Sequence, residues 1–225
     1  MSERSSACYS RLVRLASFPT GPLGCNCSIV ADEVARQAIV IDPGGDFERI
    51  EAALTEQGLT VTAIVHTHTH IDHVGATAPL QRLSGAEAHI HEADRFLYDM
   101  LPVQSALLGV PNPEKCDMLG TLVDDFSLRA GSLEVCVMHT PGHTPGSVSF
   151  YVESPEGKLL FTGDTLFQRG IGRTDLWGGD SKLILQSIKS KLLPLDDETV
   201  VIPGHGPRTT IGDERDLNPF LRRLR

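Results

Sequence analysis

The most constraining feature of this 225-residue sequence is the cluster His68-Thr-His70-Ile-Asp72-His73, which closely follows an apolar run at residues 63–65. Imidazole and carboxylate groups are suitable ligands for Zn, Fe or Mn. Burying so many polar groups without partners would destabilise a fold, which disfavours a purely structural role. A rigid strand that ends in such a loop aims the side chains of the loop at one point. The cluster therefore predicts a metal site at the end of a buried strand.

Three further segments each place one polar residue beside a strand end or a tight turn. His143 lies in a Thr-Pro-Gly-His-Thr-Pro-Gly turn, Asp164 ends a Phe-Thr-Gly-Asp segment, and His205 lies in an Ile-Pro-Gly-His-Gly segment. One Gly-His turn carries little weight, but four such segments in order are a strong signal. Together they supply more ligands than one four-coordinate ion uses. We therefore predict two divalent ions, Zn in the first instance and Fe or Mn as alternatives, held by His68, His70, Asp72, His73, His143, Asp164 and His205.

Apolar runs broken by Gly and Pro predict strands followed by one or two helices, twice along the chain. Helices are predicted at residues 46–57, 75–83, 92–108 and 181–192, the first with Asp46 as N-cap and Gly58 as its stop. Two sheets packed face to face with helices outside would satisfy this pattern. We predict a short tail at residues 1–11 and one domain over residues 12–225. The predicted strands are residues 12–18, 28–31, 38–41, 63–65, 132–138, 147–152, 158–161 and 199–202.

Composition and charge exclude several classes of function. The net charge of −9 and the lack of a basic stretch argue against a nucleic-acid partner. No run reaches the roughly 20 apolar residues of a membrane-spanning helix, and no apolar stretch typical of a secretory signal opens the chain. The five cysteines are irregularly spaced and do not form the pattern of a disulfide framework. We therefore expect a cytoplasmic protein without a membrane partner, and the sequence predicts no oligomeric state.

The ordered motifs, an HxHxDH cluster followed by a His, an Asp and a His, resemble those of the metallo-β-lactamase superfamily from about Leu12 to Phe220. The resemblance implies an αββα sandwich of two mixed, mostly antiparallel sheets with helices on both outer faces and a dinuclear site at one edge. It implies that Asp164 bridges the two ions. The first ion is then held by His68, His70 and His143, and the second by Asp72, His73 and His205.

Further motifs run along almost the whole chain: Asn26-Cys27, Asp42-Pro-Gly-Gly45, Leu101-Pro-x-Gln104, Phe167-x-x-Gly170-x-Gly-Arg173-x-Asp175, Lys191-Leu-Leu-Pro194, Gly204-His-Gly-Pro-x-Thr-Thr-Ile-Gly212 and Asn218-Pro-Phe-Leu221. In these motifs the chain is most similar to the short, single-domain group of glyoxalase II, the hydroxyacylglutathione hydrolases. The similarity implies hydrolysis of glutathione thioesters such as S-lactoylglutathione, with Asp72 as the catalytic residue that orients the attacking hydroxide. Resemblance to the lactamases proper would imply a Cys in the second metal site, where this chain has Asp164.

Full-length glyoxalase II has a C-terminal helical domain that holds the glutathione carboxylates, whereas only 20 residues follow His205 here. We therefore expect loops at residues 101–113 and 167–173 to hold the leaving thiol, with Arg169 and Arg173 as substrate contacts. Because such loops fix few contacts in advance, binding is expected to be weak. An ion pair between Arg173 and Asp175 that only locks the loop is the competing interpretation.

Two other functions are compatible with parts of the pattern. Persulfide dioxygenases also resemble this chain, including its Gly-x-Gly-Arg-Thr-Asp stretch, and the resemblance implies a single iron held by two His and one Asp that acts on glutathione persulfide. The Gly-Pro-Arg-Thr-Thr segment that begins at Gly206 matches the short glyoxalase group better. A binding module without catalysis would require lost ligands, and all seven are present.

The remaining histidines are assigned supporting or structural roles. His66 is expected to pack beside the ligands, and His139 to support His143 through a hydrogen bond. His89 and His91 are expected to be structural or exposed.

Overall fold

Two six-stranded sheets dominate the structure, a computed structural model that describes residues 13–222. The first sheet has the order β1-β2-β3-β4-β5-β6, and α1 to α5 belong to this half of the chain. Its elements are β1 (Val13–Thr20), β2 (Cys25–Asp32), β3 (Gln37–Ile41), α1 (Phe47–Gln57), β4 (Thr60–Val65), α2 (Ile71–Val74), α3 (Thr77–Ser84), β5 (Glu87–His89), α4 (Arg95–Asp99), α5 (Leu101–Leu108) and β6 (Met118–Leu119).

The second sheet has the order β14-β13-β10-β9-β8-β7, and a separate small hairpin pairs β11 with β12. A π-helical turn at Ile188–Leu192 continues the helix α6. The elements of this half are β7 (Ser127–Ala130), β8 (Leu133–His139), β9 (Val148–Ser154), β10 (Gly157–Gly163), β11 (Leu166–Phe167), β12 (Gly170–Ile171), α6 (Ser181–Ser187), β13 (Val200–Pro203), β14 (Thr209–Thr210) and α7 (Ile211–Leu217).

Three buried apolar clusters explain the layering. Successive side chains of a strand point to opposite faces, so β2 sends Ile29 outward to the helices α1 and α3 and Val30 inward to the second sheet. The inner cluster joins the two sheets, and Phe150 and Phe161 are its largest side chains. A third cluster packs α6 and α7 on the outer face of the second sheet, with Leu160 contributed by β10. The predicted αββα sandwich is confirmed.

The pairing of the strands is mixed, as predicted. Antiparallel pairs outnumber parallel pairs by six to four in the two large sheets of the described residues. The parallel pairs are concentrated in the first sheet, from β3 to β6, and the second sheet contains one, between β10 and β13. These parallel pairs matter for function, because they bring the carboxyl ends of neighbouring strands to the same edge.

Several predicted elements differ from the structure. The single helix at residues 92–108 is wrong: a 3₁₀ turn, α4 and α5 occupy this stretch, and the chain breaks at Met100 just before Pro102. Asp46 precedes α1 as predicted but makes no capping bond, because its carboxylate accepts the N–H of Gly21 at 2.9 Å. Gly58 ends α1 in the left-handed conformation, as predicted. The predicted tail at residues 1–11 lies outside the described residues. Among the described residues, no helix is long and apolar enough to cross a membrane.

Replacing Phe150 by Ala should test the inner cluster. Phe150 is 0% exposed and lies between Val137 on β8 and Phe161 on β10. Removing its ring leaves a cavity, so the free energy of unfolding in urea should fall by about 3–5 kcal/mol. The matched control Phe220→Ala removes the same ring from a side chain that is 52% exposed, and should change the free energy of unfolding by less than about 1 kcal/mol. Equal effects of the two variants would contradict the layering.

Candidate metal centre

The predicted ligands converge because four strands end at one edge of the sandwich. In the first sheet, β4 leads into the ligand loop, which we define as residues 66–73. In the second sheet, β8 leads into the His143 turn (residues 140–146), and the parallel neighbours β10 and β13 lead into Asp164 and His205. A hydrogen bond of 2.8 Å from Val148 N to Thr67 O joins the two sheets at this edge. All seven predicted side chains therefore meet in one place.

Three histidines form the first group of this centre. Ligand atoms of His68, His70 and His143 all lie within 4.8 Å of one another. His70 Nδ1 lies 3.0 Å from His143 Nε2, and each pair of rings has centroids 4.7 Å apart. All three side chains are buried. Three imidazoles that turn their ring nitrogens toward a common point match the geometry of a metal ligand set.

A second group lies beside the first and contains a carboxylate. Ligand atoms of Asp72, His73 and His205 lie within 4.8 Å of one another, and His205 Nε2 is 3.0 Å from Asp72 Oδ2. His73 is completely buried, whereas the side chain of Asp72 is 14% exposed and that of His205 is 30% exposed. This group is therefore the one that faces solvent.

Asp164 lies between the two groups. Its Oδ1 atom is 3.5 Å from His73 Nε2 and 3.8 Å from His205 Nε2, while its Oδ2 atom is 3.7 Å from His143 Nε2. One carboxylate thus turns one oxygen to each group. This is the arrangement expected of a residue that bridges two ions.

The unpaired atoms of the centre test whether a metal fits. Buried polar atoms almost always have a hydrogen-bond partner, and an exception requires an explanation. Among the described residues, His68 Nε2, His73 Nε2 and Asp164 Oδ1 are buried without one. They are nitrogen and oxygen donors that face a common space, which suits a divalent ion of Zn, Fe or Mn. The residues present therefore fit the predicted cofactor.

The electrostatics of the first group keep its three histidine rings in the form that binds metal. Burial, followed by the proximity of His73 and His143, holds the pKa of His68 well below its usual value. Burial and the neighbouring His143 lower the pKa of His70 to about 3. Both rings are therefore neutral near pH 7, with a lone pair available. Burial opposes ionisation of Asp72, but His73 and the hydrogen bond from His205 hold its pKa below the usual range.

A set of hydrogen bonds orients the rings from behind. Asp42 Oδ2 lies 3.0 Å from His73 Nδ1 and accepts the hydroxyl of Thr67 at 2.7 Å, while Oδ1 accepts the backbone N–H of Thr67 at 2.7 Å. The Thr67 hydroxyl oxygen in turn lies 3.1 Å from His68 Nδ1. His143 Nδ1 donates to the carbonyl of Arg173 at 2.7 Å. Because one ring nitrogen is held in each case, the other points into the centre.

Asp94 joins the two sheets beneath the first group. Its carboxylate is 0% exposed and accepts hydrogen bonds from Thr69 N at 3.3 Å, Thr144 Oγ1 at 2.8 Å and Gly146 N at 2.6 Å. Burial raises the pKa of Asp94 to about 6, and these hydrogen bonds limit the rise. Thr69 lies in the ligand loop and Thr144 in the His143 turn, so Asp94 fixes the two loops to each other. Asp94 belongs to none of the sequence motifs, so its role becomes visible only in the fold.

Two motif residues also support the loops. Gln104 Oε1 accepts the N–H of Ile71 at 2.9 Å, which anchors the ligand loop to α5. Asn26 Nδ2 donates to the carbonyls of Pro203 and Gly206, at 2.9 and 3.0 Å, and so clamps the loop that carries His205. The Leu-Pro-x-Gln and Asn-Cys motifs were the available sequence signals, although the sequence alone assigned them no role.

Gly204 is required where the His205 loop passes the centre. A Cβ atom at this position would lie 2.3 Å from Asp164 Oδ1 and 2.8 Å from His73 Cε1. Any larger residue would displace two of the candidate ligands. The Pro-Gly-His segment therefore reflects close packing as well as a turn.

The other predicted residues take varied positions. His66 is buried and lies 2.8 Å from the hydroxyl of Thr77, which agrees with a packing role. The predicted hydrogen bond from His139 to His143 is wrong: His139 is the last residue of β8, its Nε2 atom lies 2.9 Å from Pro145 O, and its ring stacks on His91.

The two arginines proposed as substrate contacts both have partners within the fold. Arg169 is paired with Glu214, a carboxylate that is 0% exposed. Arg173 forms two hydrogen bonds with Asp175, at 2.7 and 2.9 Å, and both side chains are exposed. Arg173 is nearer to the centre, because its carbonyl holds His143. Contact of either side chain with substrate stays a prediction.

Comparison with known proteins agrees with this architecture. The sequence profile of the metallo-β-lactamase superfamily matches residues 20–205, which contain all seven candidate ligands. Hydroxyacylglutathione hydrolase GloC of Haemophilus influenzae is 41% identical over 87% of this chain and 92% of its own length. The mitochondrial persulfide dioxygenase ETHE1 of Homo sapiens is 29% identical over 89% of this chain and 73% of its own length.

Solved structures show that the similarity holds for the fold as well as for the sequence. BLEG-1 B3 metallo-β-lactamase is 42% identical, with a TM-score of 0.84 over 93% of this chain and 100% of that chain. TTHA1623 in a di-iron-bound form is 38% identical, with a TM-score of 0.79 over 92% of this chain and 100% of that chain. The names of these relatives describe different activities, so the similarity identifies the superfamily and not the substrate. The chain belongs to the metallo-β-lactamase superfamily.

Proposed function

We propose that this protein is a metal-dependent hydrolase that cleaves glutathione thioesters such as S-lactoylglutathione. The observation that carries the proposal is the position of Asp164, whose two carboxylate oxygens face two separate groups of ligand atoms. Two divalent ions would be held there, by His68, His70 and His143 on one side and by Asp72, His73 and His205 on the other, with Asp164 between them.

The chemistry divides between the ions and the protein. When bound, a pair of ions supplies a reactive nucleophile from water at neutral pH and a Lewis acid for the carbonyl oxygen. Asp72 is ionised and partly exposed, so its carboxylate accepts a hydrogen bond from the attacking water and orients it toward the carbonyl carbon. The buried first group excludes bulk water behind the substrate. A thiolate leaves without protonation, and no general acid is required.

Similarity to the Haemophilus influenzae hydrolase GloC supports a glutathione thioester as the substrate. We propose Zn as the metal, with Fe or Mn as alternatives, and a cytoplasmic location. The four cysteines of the described residues form no disulfide, which suits a reducing compartment. The partner is a small-molecule thioester.

A second candidate is a persulfide dioxygenase with a single iron, supported by the similarity to ETHE1. Parallel assays separate the two candidates: thioester hydrolysis is followed with S-lactoylglutathione, and oxygen uptake with glutathione persulfide, each with the Zn-, Mn- and Fe-loaded protein. The proposal predicts hydrolysis without oxygen uptake. Oxygen uptake with iron, and no hydrolysis with any of the metals, would replace it by the dioxygenase.

Replacing Asp164 by Ala should remove the residue shared by the two ligand groups. Hydrolysis of S-lactoylglutathione should fall by more than about 100-fold, while the circular dichroism spectrum stays that of the folded protein. The control Cys136→Ser changes an exposed side chain on β8 and should leave turnover within about twofold. Retention of activity by Asp164→Ala would show that the ligand assignment is wrong.

Asp94→Ala should weaken metal binding although Asp94 is not a proposed ligand. The variant loses the hydrogen bonds that fix the ligand loop to the His143 turn, so the metal affinity should fall about 10- to 100-fold. The affinity is measured by competition with a chelator of known strength. Asp99→Ala, which removes an exposed carboxylate on α4 that is paired with Lys115, serves as the control. An unchanged affinity in Asp94→Ala would contradict the role of Asp94.

Arg173→Ala should raise KM for S-lactoylglutathione about three- to tenfold and change kcat little, because a cation on the leaving-group carboxylates binds substrate and transition state alike. Asp175→Ala frees the same guanidinium and should leave KM unchanged or lower it. If the Arg173–Asp175 pair only locks the loop, removing either partner breaks the same contact. Asp175→Ala will then change KM and kcat in the same way as Arg173→Ala, and Arg173 does not contact the substrate.

A further inference from the structure

A groove opens directly beside Asp72. It has a volume of about 160 Å³, far more than the roughly 10–15 Å³ that a single water needs. The turn between β1 and β2 forms one wall, and the segment after α5 forms the other. The side chains that line these walls are apolar: Pro22, Leu23, Ile71, Val110, Pro111 and Pro113. The groove is therefore large enough to hold part of a substrate next to the catalytic carboxylate.

The floor of the groove is bare backbone that is fixed in place. Gly44 and Gly75 line it, and a Cβ atom on Gly75 would lie 2.2 Å from Gly44 O. A Cβ atom on Gly44 would lie 1.9 Å from the carbonyl oxygen of Asp72. The two backbone segments thus pack against each other without side chains between them. The floor of the groove is therefore closely packed backbone.

The charged residues that line the groove determine which half of a glutathione thioester can bind there. Asp72 is its one charged lining residue, and no Lys or Arg of the described residues lines it. Glutathione carries two carboxylates, which would find no Lys or Arg partner among the apolar side chains of this groove. The backbone carbonyl of Arg173 accepts a hydrogen bond from His143, so the loop that carries this arginine lies beside the first ligand group. The glutathione half of a thioester is therefore directed away from the groove, and its acyl half is directed into it.

We propose that the apolar groove beside Asp72 binds the acyl group, and that the enzyme prefers thioesters of unbranched, uncharged acyl groups of several carbons over S-lactoylglutathione. The inference rests on the proposed thioester hydrolysis and names its substrate class. The lactoyl hydroxyl gains less in this groove than a methylene does, since the side chains of both walls are apolar. Each methylene that enters gains apolar burial instead.

The test uses acyl groups of different length on the same leaving thiol. Metal-loaded protein is assayed with S-acetyl-, S-butyryl-, S-hexanoyl- and S-lactoylglutathione, and kcat/KM is compared. Burial of a methylene predicts an increase of about fourfold per carbon until the groove is filled. Butyryl should therefore exceed acetyl by more than about tenfold, and should also exceed lactoyl.

Variants of the walls tie this preference to the groove. Leu23→Asn places a polar group in an exposed turn residue, 41% exposed, and should reduce the increase per carbon to less than about twofold. Leu23→Trp should narrow the groove and shift the best substrate to a shorter chain. The control Val34→Asn makes the same kind of change at an apolar turn residue that follows β2 and is 65% exposed. It should leave the increase in kcat/KM per acyl carbon unchanged.

Two outcomes would overturn the inference and are distinguishable from failure of the proposed function. A flat acyl series in an enzyme that hydrolyses S-lactoylglutathione would overturn the acyl groove alone. An increase with chain length that persists in both Leu23 variants would place the acyl group elsewhere. Absence of hydrolysis with every thioester would overturn the proposed function and the acyl groove with it.

Discussion

Asp42 lies where β3 meets the ligand loop, and its buried carboxylate accepts the backbone N–H and the hydroxyl of Thr67 and contacts the ring of His73. Because the Thr67 hydroxyl also contacts His68, one carboxylate orients a residue of each ligand group. The carboxylate is held in turn by the pairing of β3 with β4, since Asp42 N donates to Val65 O at 3.0 Å. The position of the two ligand groups thus depends on a contact outside the centre, because the register of the parallel strands β3 and β4 places Asp42 beside the ligand loop.

The same principle governs the rest of the site. Asp94 holds the two sheets together beneath the first group, Asn26 clamps the loop of His205, and Gly204 lets that loop approach Asp164. Such supports leave the exposed side of the centre free, where Asp72 borders both solvent and the apolar groove. The centre therefore has a buried side that carries the first group of candidate ligands and an exposed side that borders the groove. If the groove holds the acyl group as proposed, changes in the turn between β1 and β2 or in the segment after α5 would alter substrate choice without removing a candidate ligand.

The sequence alone predicted the parts whose signal is local. The dense cluster after an apolar run, the two Pro-Gly-His turns and the strand that ends at Asp164 identified seven side chains that the structure brings together. Gly58 was identified as a helix stop because a left-handed residue after an amphipathic segment is a local signal. The layering also follows from periodicity, since alternate residues of β2 serve different clusters.

What the sequence missed depends on contacts between distant segments. Asp94 is one acidic residue in a polar stretch until the fold places Thr69 and Thr144 against it. The hydrogen bond predicted from His139 to His143 was wrong because proximity along the chain does not fix the direction of a side chain at a strand end. Arg169 had no visible partner until α7 brought the buried carboxylate of Glu214 beneath it.

The central claim is that the centre binds two ions that share Asp164. Anomalous X-ray scattering from crystals of the metal-loaded protein tests this claim most directly, because it locates each ion and identifies the element. The account predicts two ions, one beside His68, His70 and His143 and one beside Asp72, His73 and His205, with Asp164 in contact with both. A fully loaded protein that holds one ion on two histidines and one aspartate, with His73 and His205 unbound, would contradict it.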